Sequence, residues 1–409
     1  MENVKHARCV VCGRTYEAVP TLTTCACGGV LDVEYDYDRI AHGVSRAAYA
    51  KNRDYSMWRY RDFLPVEDTT PAPPLRVGWS PLYAAPRLAE RLGIKYLFLK
   101  DDGQNPTSSL KDRASAMAVA KAREAGAASI ACASTGNAAS SLAGNAAAAG
   151  METYIFVPER APIGKVAQLR IFGAHVISVQ GDYEATFRLS AQAIEKYGWY
   201  NRNAAINPYL MEGKKTVSFE IVEQLAWEVP DYVAVSVGDG CTIAGVWKGF
   251  QDLYSAGLIR KLPKLLSVQA AGCWPINRAV RENRPLEPME ENTIADSIAV
   301  GVPRNPIKAM NAIRASGGVT VEVTDEEIFA AMRLLGKTCG VFGEPAGVTG
   351  TAGLKKAVEM GRIPRDATVV SIITGNGLKD TASGIKAAGE PVRIPPDMAL
   401  LERVLAGEL

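Results

Sequence analysis

Lys111 lies in "NPTSSLKDRAS" (Asn105–Ser115), among turn-formers and small residues. Asn105, Thr107, Ser108 and Ser109 are ready N-caps, so Lys111 is expected in the first turn of a helix. A cation there opposes the helix dipole by about 0.3–1 kcal/mol. Such a lysine is either an ordinary solvated side chain or an amine whose pKa is lowered, as Schiff-base chemistry requires. Three other turns carry chemistry-bearing residues at helix starts. "ASTGNAASS" (Ala133–Ser141) sets the hydroxyls of Ser134 and Thr135 and the carboxamide of Asn137 beside backbone donors, which suits a carboxylate or a simple capping turn. "VGDGCTIAG" (Val237–Gly245) lets backbone amides approach a phosphate, or is a ligand-free glycine turn. Its third glycine comes too late for a dinucleotide fingerprint, and Asp239 would have to turn its carboxylate away from a dianion. "SIITGNGLKD" (Ser371–Asp380) ends a strand at Thr374, whose hydroxyl suits a neutral ring nitrogen or a cap.

These turns need elements to hold them. From Lys95 onward, short apolar runs alternate with longer helical patterns. "KYLFLK", "ASIACAS", "ETYIFVP", "HVISVQ", "YVAVSV", "LLSVQA", "VTVEV" and "TVVSII" read as strands. "SAMAVAKAREAG", "NAASSLAGNAAAAG", "KVAQLRIFG", "EATFRLSAQAIEKYG", "KKTVSFEIVEQLAWEV" and "DEEIFAAMRLLGKTCG" read as helices, several ending in glycine. The alternation predicts an α/β fold of parallel sheet covered on both faces, with ligands at the carboxyl ends of the strands. "TTPAPPLRVG" and "RENRPLEPMEENT" read as surface connections.

The chain of 409 residues is 47% hydrophobic with a formal net charge of +2, enough for a large core or two domains. Near-neutrality leaves no footprint for a nucleic-acid or membrane-surface partner. No apolar run reaches the 18 residues of a membrane span, and the start lacks a signal peptide's organisation, so a soluble cytoplasmic protein is expected. Four of the eight cysteines cluster early, in "CVVCG" (Cys9, Cys12) and "CACGG" (Cys25, Cys27). They form either a structural zinc ribbon or a hairpin of that shape with reduced thiols. Of three histidines, His6, His42 and His175, none lies in the four turns.

Taken together, the lysine turn, the Ser-Thr-Gly-Asn turn, the glycine cup and the late Thr-Gly turn resemble the pyridoxal-phosphate enzymes of fold type II, and among them the threonine synthase family. "GKVAQL", "NPYLMEGKKT", "SGGVTVEVTDEEI" and "EPAG" extend the resemblance over nearly the whole chain. It implies two open, mostly parallel twisted sheets flanked by helices, after an N-terminal zinc-ribbon-like segment. The implied units are residues 1–35 for the ribbon, 36–93 with 201–409 for a large cofactor-binding domain, and 94–200 for a small mobile domain. The resemblance also implies a homodimer. Lys111 would be the Schiff-base lysine, with Asn137 on the cofactor's phenolic oxygen. Gly238, Asp239, Gly240, Cys241 and Thr242 would cup its phosphate, and Thr374 would meet its ring nitrogen. Ser134 and Thr135 would bind the substrate carboxylate, and Cys9, Cys12, Cys25 and Cys27 a zinc ion. The implied activity is elimination at the β or γ carbon of an amino acid, then addition of water or another nucleophile.

The chain departs from the family at telling places. Ala204 and Ala205 stand where an Asn-Ser pair would hold the substrate phosphate, and Leu210 where an Arg would. Ser108, Ser109 and Leu110 replace Gly-Ser-Phe before the lysine, and Asp239, Cys241 and Thr242 replace amide-rich residues in the cup. Either another cation, with Arg202, Arg160 and Lys165 as candidates, takes the lost clamp's part, or the leaving group is not a phosphate. The first case is threonine synthase itself. The second is a relative such as a cysteate synthase-like enzyme, a dehydratase or an ammonia-lyase.

Overall fold

A computed structural model describes residues 1–161, 163–203 and 205–407; Ala204, one of the replaced clamp positions, lies outside the described residues. At the N-terminus β1 (Val4–Cys9) pairs antiparallel with β2 (Thr15–Tyr16) and β3 (Leu31–Tyr35), the ribbon-like segment expected from the cysteine spacing. Ten further strands follow: β4 (Leu82–Ala84), β5 (Tyr96–Asp101), β6 (Ser129–Ala133), β7 (Glu152–Pro158), β8 (His175–Val179), β9 (Tyr200–Asn201), β10 (Tyr232–Ser236), β11 (Lys264–Ala270), β12 (Val319–Val323) and β13 (Thr368–Ile373).

They form two open sheets. The larger runs β12-β11-β10-β13-β5-β4 and is parallel except for the edge strand β4. The smaller runs β8-β7-β6-β9 and is parallel throughout. Every residue of β10 is buried, as parallel strands covered on both faces must be. Apolar clusters fill both faces of the larger sheet, and a third packs around the smaller one. This is the mostly parallel α/β architecture that the alternating pattern predicts. No helix among the described residues is long and apolar enough to cross a membrane.

Some elements differ from the sequence expectation. The helix expected from Lys214 begins at Tyr209, because Asn207 accepts the Tyr209 N–H (3.0 Å) and Pro208 sets the first turn. The helix carrying Lys111 begins at that residue, which puts the lysine in the first turn as expected, and it extends the run read from Ser115 by one turn. The glycine turn is followed by a helix at Cys241–Ser255, as a cup at a helix start requires, and a further helix at Pro345–Glu359 stands outside those the pattern marks. The latter is buried through most of its length, and a helix covered all round shows no amphipathic stripe.

Three helices stack where the turns converge: Lys111–Glu124, Tyr209–Gln224 and Cys241–Ser255. Their backbones touch at glycines. A Cβ on Gly213 would lie 2.1 Å from the Arg113 carbonyl oxygen, and one on Gly249 would lie 2.4 Å from that of Lys215. Beside the first contact, Arg113 is wholly buried with two carboxylates: Nε to Asp102 (2.7 Å) and Nη1 to Glu220 (2.5 Å). Lys100 closes the knot on Glu220 (2.7 Å). A second polar seam docks the ribbon, where Tyr35 donates to Glu212 (2.5 Å) and Lys308 meets Asp32 (3.1 Å).

Removing one member of a buried ion cluster strands the others in low dielectric. Arg113→Met is therefore expected to lower stability by about 3–5 kcal/mol. A shift of the urea unfolding midpoint equivalent to under about 1 kcal/mol would contradict that placement.

Candidate active site

The predicted turns meet at the carboxyl ends of the strands. One cavity of about 560 Å³ is lined by Lys111, by Ser134–Asn137, by Gly238–Thr242 and by Thr374. Four strand-to-helix junctions, on both sheets, thus open into a single space of ligand size.

Lys111 starts its helix with no side-chain cap before it. No hydrogen-bond or ion-pair partner of its ammonium is found among the described residues. Desolvation, then repulsion from Lys214 and Arg202, pulls its pKa down to about 8. The turn before it is stitched to the turn after β13: Leu110 N–H donates to Thr374 O (2.9 Å) and Asn376 N–H to Ser108 O (3.0 Å). Lys111 and Thr374 are thus held by main chain rather than by side-chain contacts. Ser108, which stands at the glycine of the family motif, adopts φ +68°. Its left-handed backbone costs about 1 kcal/mol, and the stitching holds it there.

The helix Asn137–Ala148 begins at Gly136 with no side-chain cap, so its first amides are free to meet an anion. Ser134 Oγ accepts the Gly136 N–H (3.2 Å), tightening the turn. Asn137 Nδ2 donates to Glu344 Oε1 (2.7 Å). Burial raises the Glu344 carboxyl to about 7, opposed by the Asn137 bond and by Lys111.

The helix Cys241–Ser255 also starts uncapped, at Gly240 with φ +89°. Only glycine fits there: a Cβ would lie 2.7 Å from the Asn305 carbonyl oxygen. The Asp239 carboxylate accepts the Arg304 N–H (3.1 Å), a bond that directs it away from the amide cup, as the sequence requires.

Several lining residues had escaped notice in the sequence: Lys214, Glu344, Tyr183 and Arg304. Lys214 lies four residues after Leu210 on one helix, a spacing that could have exposed it. Glu344 precedes a proline in "EPAG" and has no partner at a telling spacing. Of the three candidate cations, Arg202 lines the cavity. Arg160 is exposed elsewhere, and Lys165 is drawn to Asp296 (2.7 Å). His175 lies outside the cavity, pairing with Glu152 (3.3 Å) and stacking on Tyr154.

Away from the cavity, the Sγ atoms of Cys9, Cys12, Cys25 and Cys27 all lie within 4.8 Å of one another. Cys9–Cys27, Cys12–Cys25 and Cys12–Cys27 are each 3.6 Å apart. Tetrahedral zinc thiolate, with bonds of about 2.3 Å, needs edges of about 3.8 Å. The Tyr16 hydroxyl lies 3.0 Å from Cys25 Sγ, a second-layer contact typical of metal sites. The four thiols therefore fit one zinc ion.

The pyridoxal-phosphate dependent enzyme family model matches residues 74–375. The threonine synthase of Methanocaldococcus jannaschii is 43% identical over 401 residues, covering 97% of this chain and 98% of that one. The threonine synthase of Methanosarcina acetivorans is 40% identical over 407 residues, covering 98% and 99%. Among solved structures, the processed form of threonine deaminase isoform 2 from Solanum lycopersicum shares the fold with a TM-score of 0.65, at 24% identity, covering 75% of this chain and 86% of that one.

Two outcomes are expected. In cofactor-free protein, labelling of Lys111 by trinitrobenzenesulfonate, followed by peptide mass spectrometry, should reach half its maximal rate near pH 8. A free lysine would do so near pH 10.4, and that result would remove the desolvated amine. The purified protein should also carry about one zinc per chain by plasma mass spectrometry, lost in Cys25→Ser. A metal-free native protein would leave the ribbon a thiol hairpin.

Proposed function

The chain belongs to the threonine synthase family of pyridoxal-phosphate-dependent enzymes, and from that premise we propose that it is a carbon–oxygen lyase converting phosphohomoserine to threonine and phosphate. The observation that carries the reading is the meeting of Lys111, Ser134–Asn137, Gly238–Thr242 and Thr374 in one cavity.

The residues fit pyridoxal phosphate on three counts: a desolvated amine without a partner, an uncapped helix start walled by glycine, and a strand-end hydroxyl. Lys111 would hold the cofactor covalently, the amides of Gly238–Thr242 its phosphate, Asn137 its phenolic oxygen and Thr374 its ring nitrogen. When bound, it supplies an electron sink for negative charge at the substrate's α carbon. A threonine partner leaves the ring nitrogen unprotonated, which favours elimination and replacement over transamination. Ser134, Thr135 and the first amides of Asn137–Ala148 bind the substrate carboxylate. Lys111 Nζ, an amine whose proton affinity burial and neighbouring cations lower, takes the proton from the α carbon and returns protons later in the reaction. Glu344 fixes the Asn137 carboxamide through their 2.7 Å bond.

Within residues 94–200, the strands β6, β7 and β8 and their helices would move as a small domain, with β5 held in the larger sheet, closing over the amino acid to exclude water until elimination is complete. None of the eight cysteines is in a disulfide, which suits a reducing cytoplasm. A homodimer accords with the family. A second reading is favoured by the loss of the Asn-Ser and Arg clamp at Ala205 and Leu210. Each missing charge-assisted bond is worth about 1.5–3 kcal/mol, so a relative acting on a different amino acid is the alternative.

Cofactor-loaded protein should release phosphate and threonine in equal amounts from phosphohomoserine. Ammonia and a keto acid from serine, threonine or a diamino acid, with no phosphate release, would establish the second reading instead. Lys111→Ala should lose both turnover and the visible absorbance of the lysine-bound cofactor; retained activity would refute the role given to the amine.

A further inference from the structure

The activity proposed above makes no use of the N-terminal ribbon. Its four thiols lie away from the cavity, yet its hydrogen bonds lead there. Residues 13–24 form a loop bracketed by Cys12 and Cys25, whose Sγ atoms are 3.6 Å apart. Two carbonyls of that loop accept bonds from buried tyrosines of the main body. The Tyr209 hydroxyl donates to Val19 O (2.7 Å) and the Tyr200 hydroxyl to Pro20 O (3.1 Å). Tyr209 opens the helix Tyr209–Gln224, and Tyr200 opens β9.

From the two tyrosines the bonds continue inward. Asn207 Nδ2 donates to the Tyr200 hydroxyl (3.0 Å) and to Asn201 O (3.1 Å), while Asn207 Oδ1 accepts the Tyr209 N–H (3.0 Å). Asn201 Oδ1 accepts the Asn203 N–H (2.9 Å), and Asn203 Oδ1 accepts the Ala133 N–H (2.9 Å). Arg202 and Asn203 line the cavity, and Ala133 leads into the Ser134–Asn137 turn. The ribbon loop is thus tied to one wall of the cavity.

The loop's own supports depend on the thiols. β2 pairs with β1 at Thr15 and Tyr16, and the Leu22 N–H donates to Val19 O (3.0 Å). The apolar cluster beneath Ala18 and Leu22 counts Cys9 and Cys25 among its members. A metal ion closing the loop at Cys12 and Cys25 removes its alternative conformations, so thiols that hold zinc also hold the two carbonyls in place. The rest of the ribbon docks independently, through Tyr35 on Glu212 (2.5 Å) and Lys308 on Leu31 O (2.5 Å) and Asp32 (3.1 Å). Loss of the metal therefore frees the loop while the ribbon stays attached.

We propose that the ribbon is a metal-dependent brace of the active site, in which Tyr200 and Tyr209 are positioning residues that carry the order of the Cys12–Cys25 loop to Arg202, Asn203 and the Ser134–Asn137 turn. The brace serves the site of the functional reading above and rests on that reading only for its substrate; hydrogen exchange tests it with no substrate present. Holoenzyme is compared before and after zinc removal by chelation, and with zinc-loaded Tyr200→Phe and Tyr209→Phe. Amides in peptides spanning residues 200–211 should exchange about tenfold faster in the zinc-free protein and in Tyr209→Phe, which strands the Val19 carbonyl, and added zinc should reverse only the former. Peptides of β10 and β11 should change less than about twofold. For whichever amino acid the holoenzyme turns over, KM should rise about fivefold with kcat within about twofold, because Lys111, the glycine cup and Thr374 stand on other junctions. Cys25→Ser replaces chelation if the chelated protein precipitates. Unchanged exchange at residues 200–211 on zinc loss overturns the proposal. Equal loosening throughout the chain does so too, since that marks a ribbon that only stabilises the fold, as does a native protein that holds no zinc. Loosening on zinc loss with both phenylalanine variants silent removes the tyrosines as its route. The exchange pattern as described, without phosphate release from phosphohomoserine, would keep the brace and discard the functional reading.

Discussion

Everything in the cavity depends on where Lys111 stands, and that depends on Arg113, two residues later. Its guanidinium is clamped between Asp102, just past β5, and Glu220, on the helix Tyr209–Gln224. One buried fork therefore joins the larger sheet, the lysine's helix and the helix carrying Lys214. Its energetic worth lies less in net stabilisation, since buried pairs often break even with apolar packing, than in the penalty for any other arrangement. Gly213 adds a steric condition: the two helices can approach this closely only where a Cβ is missing. Charge sets the rotation of the lysine's helix and glycine sets its distance.

A second principle is the separation of compensated from uncompensated charge. Arg113, Lys100 and Lys215 are buried with carboxylates within 2.7 Å. Among the described residues Lys111, Lys214 and Arg202 have no carboxylate at ion-pair distance, and all three line one space, which Glu184, Asp239, Glu291, Asp296 and Glu344 line as well. Glu344, buried in the same lining, is pushed toward its neutral form and bonded to Asn137, and its attraction to Lys111 opposes that push. Such a cavity is poised for anions and for a nucleophilic amine at once. Burial and, after it, repulsion from Lys214 and Arg202 depress the Lys111 pKa, and anions entering the site relieve that repulsion.

Much of this was legible in the sequence. The strands show as short apolar runs because parallel strands buried on both faces have little choice of residue. The four turns stand out because hydroxyls, carboxamides and glycines at strand ends serve few other purposes. Lys214 did not stand out, because in "EGKKT" two adjacent lysines look alike, yet Lys215 is neutralised by Glu212 and Asp252 and Lys214 is not. Glu344 was hidden for the same reason: pairing is a property of distance in space, invisible in a lone acid before a proline. The helix Pro345–Glu359 escaped because small residues packed on all sides leave no period to read.

The departures from the family pattern sort by what does the binding. In the cup, Asp239, Cys241 and Thr242 replace amide-rich residues, but an anion there would be held by main-chain N–H groups, which any side chain leaves in place. Asp239 needs only to turn aside, and the Arg304 N–H accommodates it. Before Lys111, Ser108 holds a left-handed backbone that glycine would adopt freely, and main-chain bonds to the turn after β13 keep it there. Side chains are another matter at Ala205 and Leu210: a methyl and an apolar side chain cannot do what a carboxamide, a hydroxyl and a guanidinium do. A loss of that kind either ends the function or is answered by a side chain nearby. Arg202, two residues ahead of the first replaced position, and Lys214, one turn beyond Leu210, are the buried cations that flank those positions along the chain.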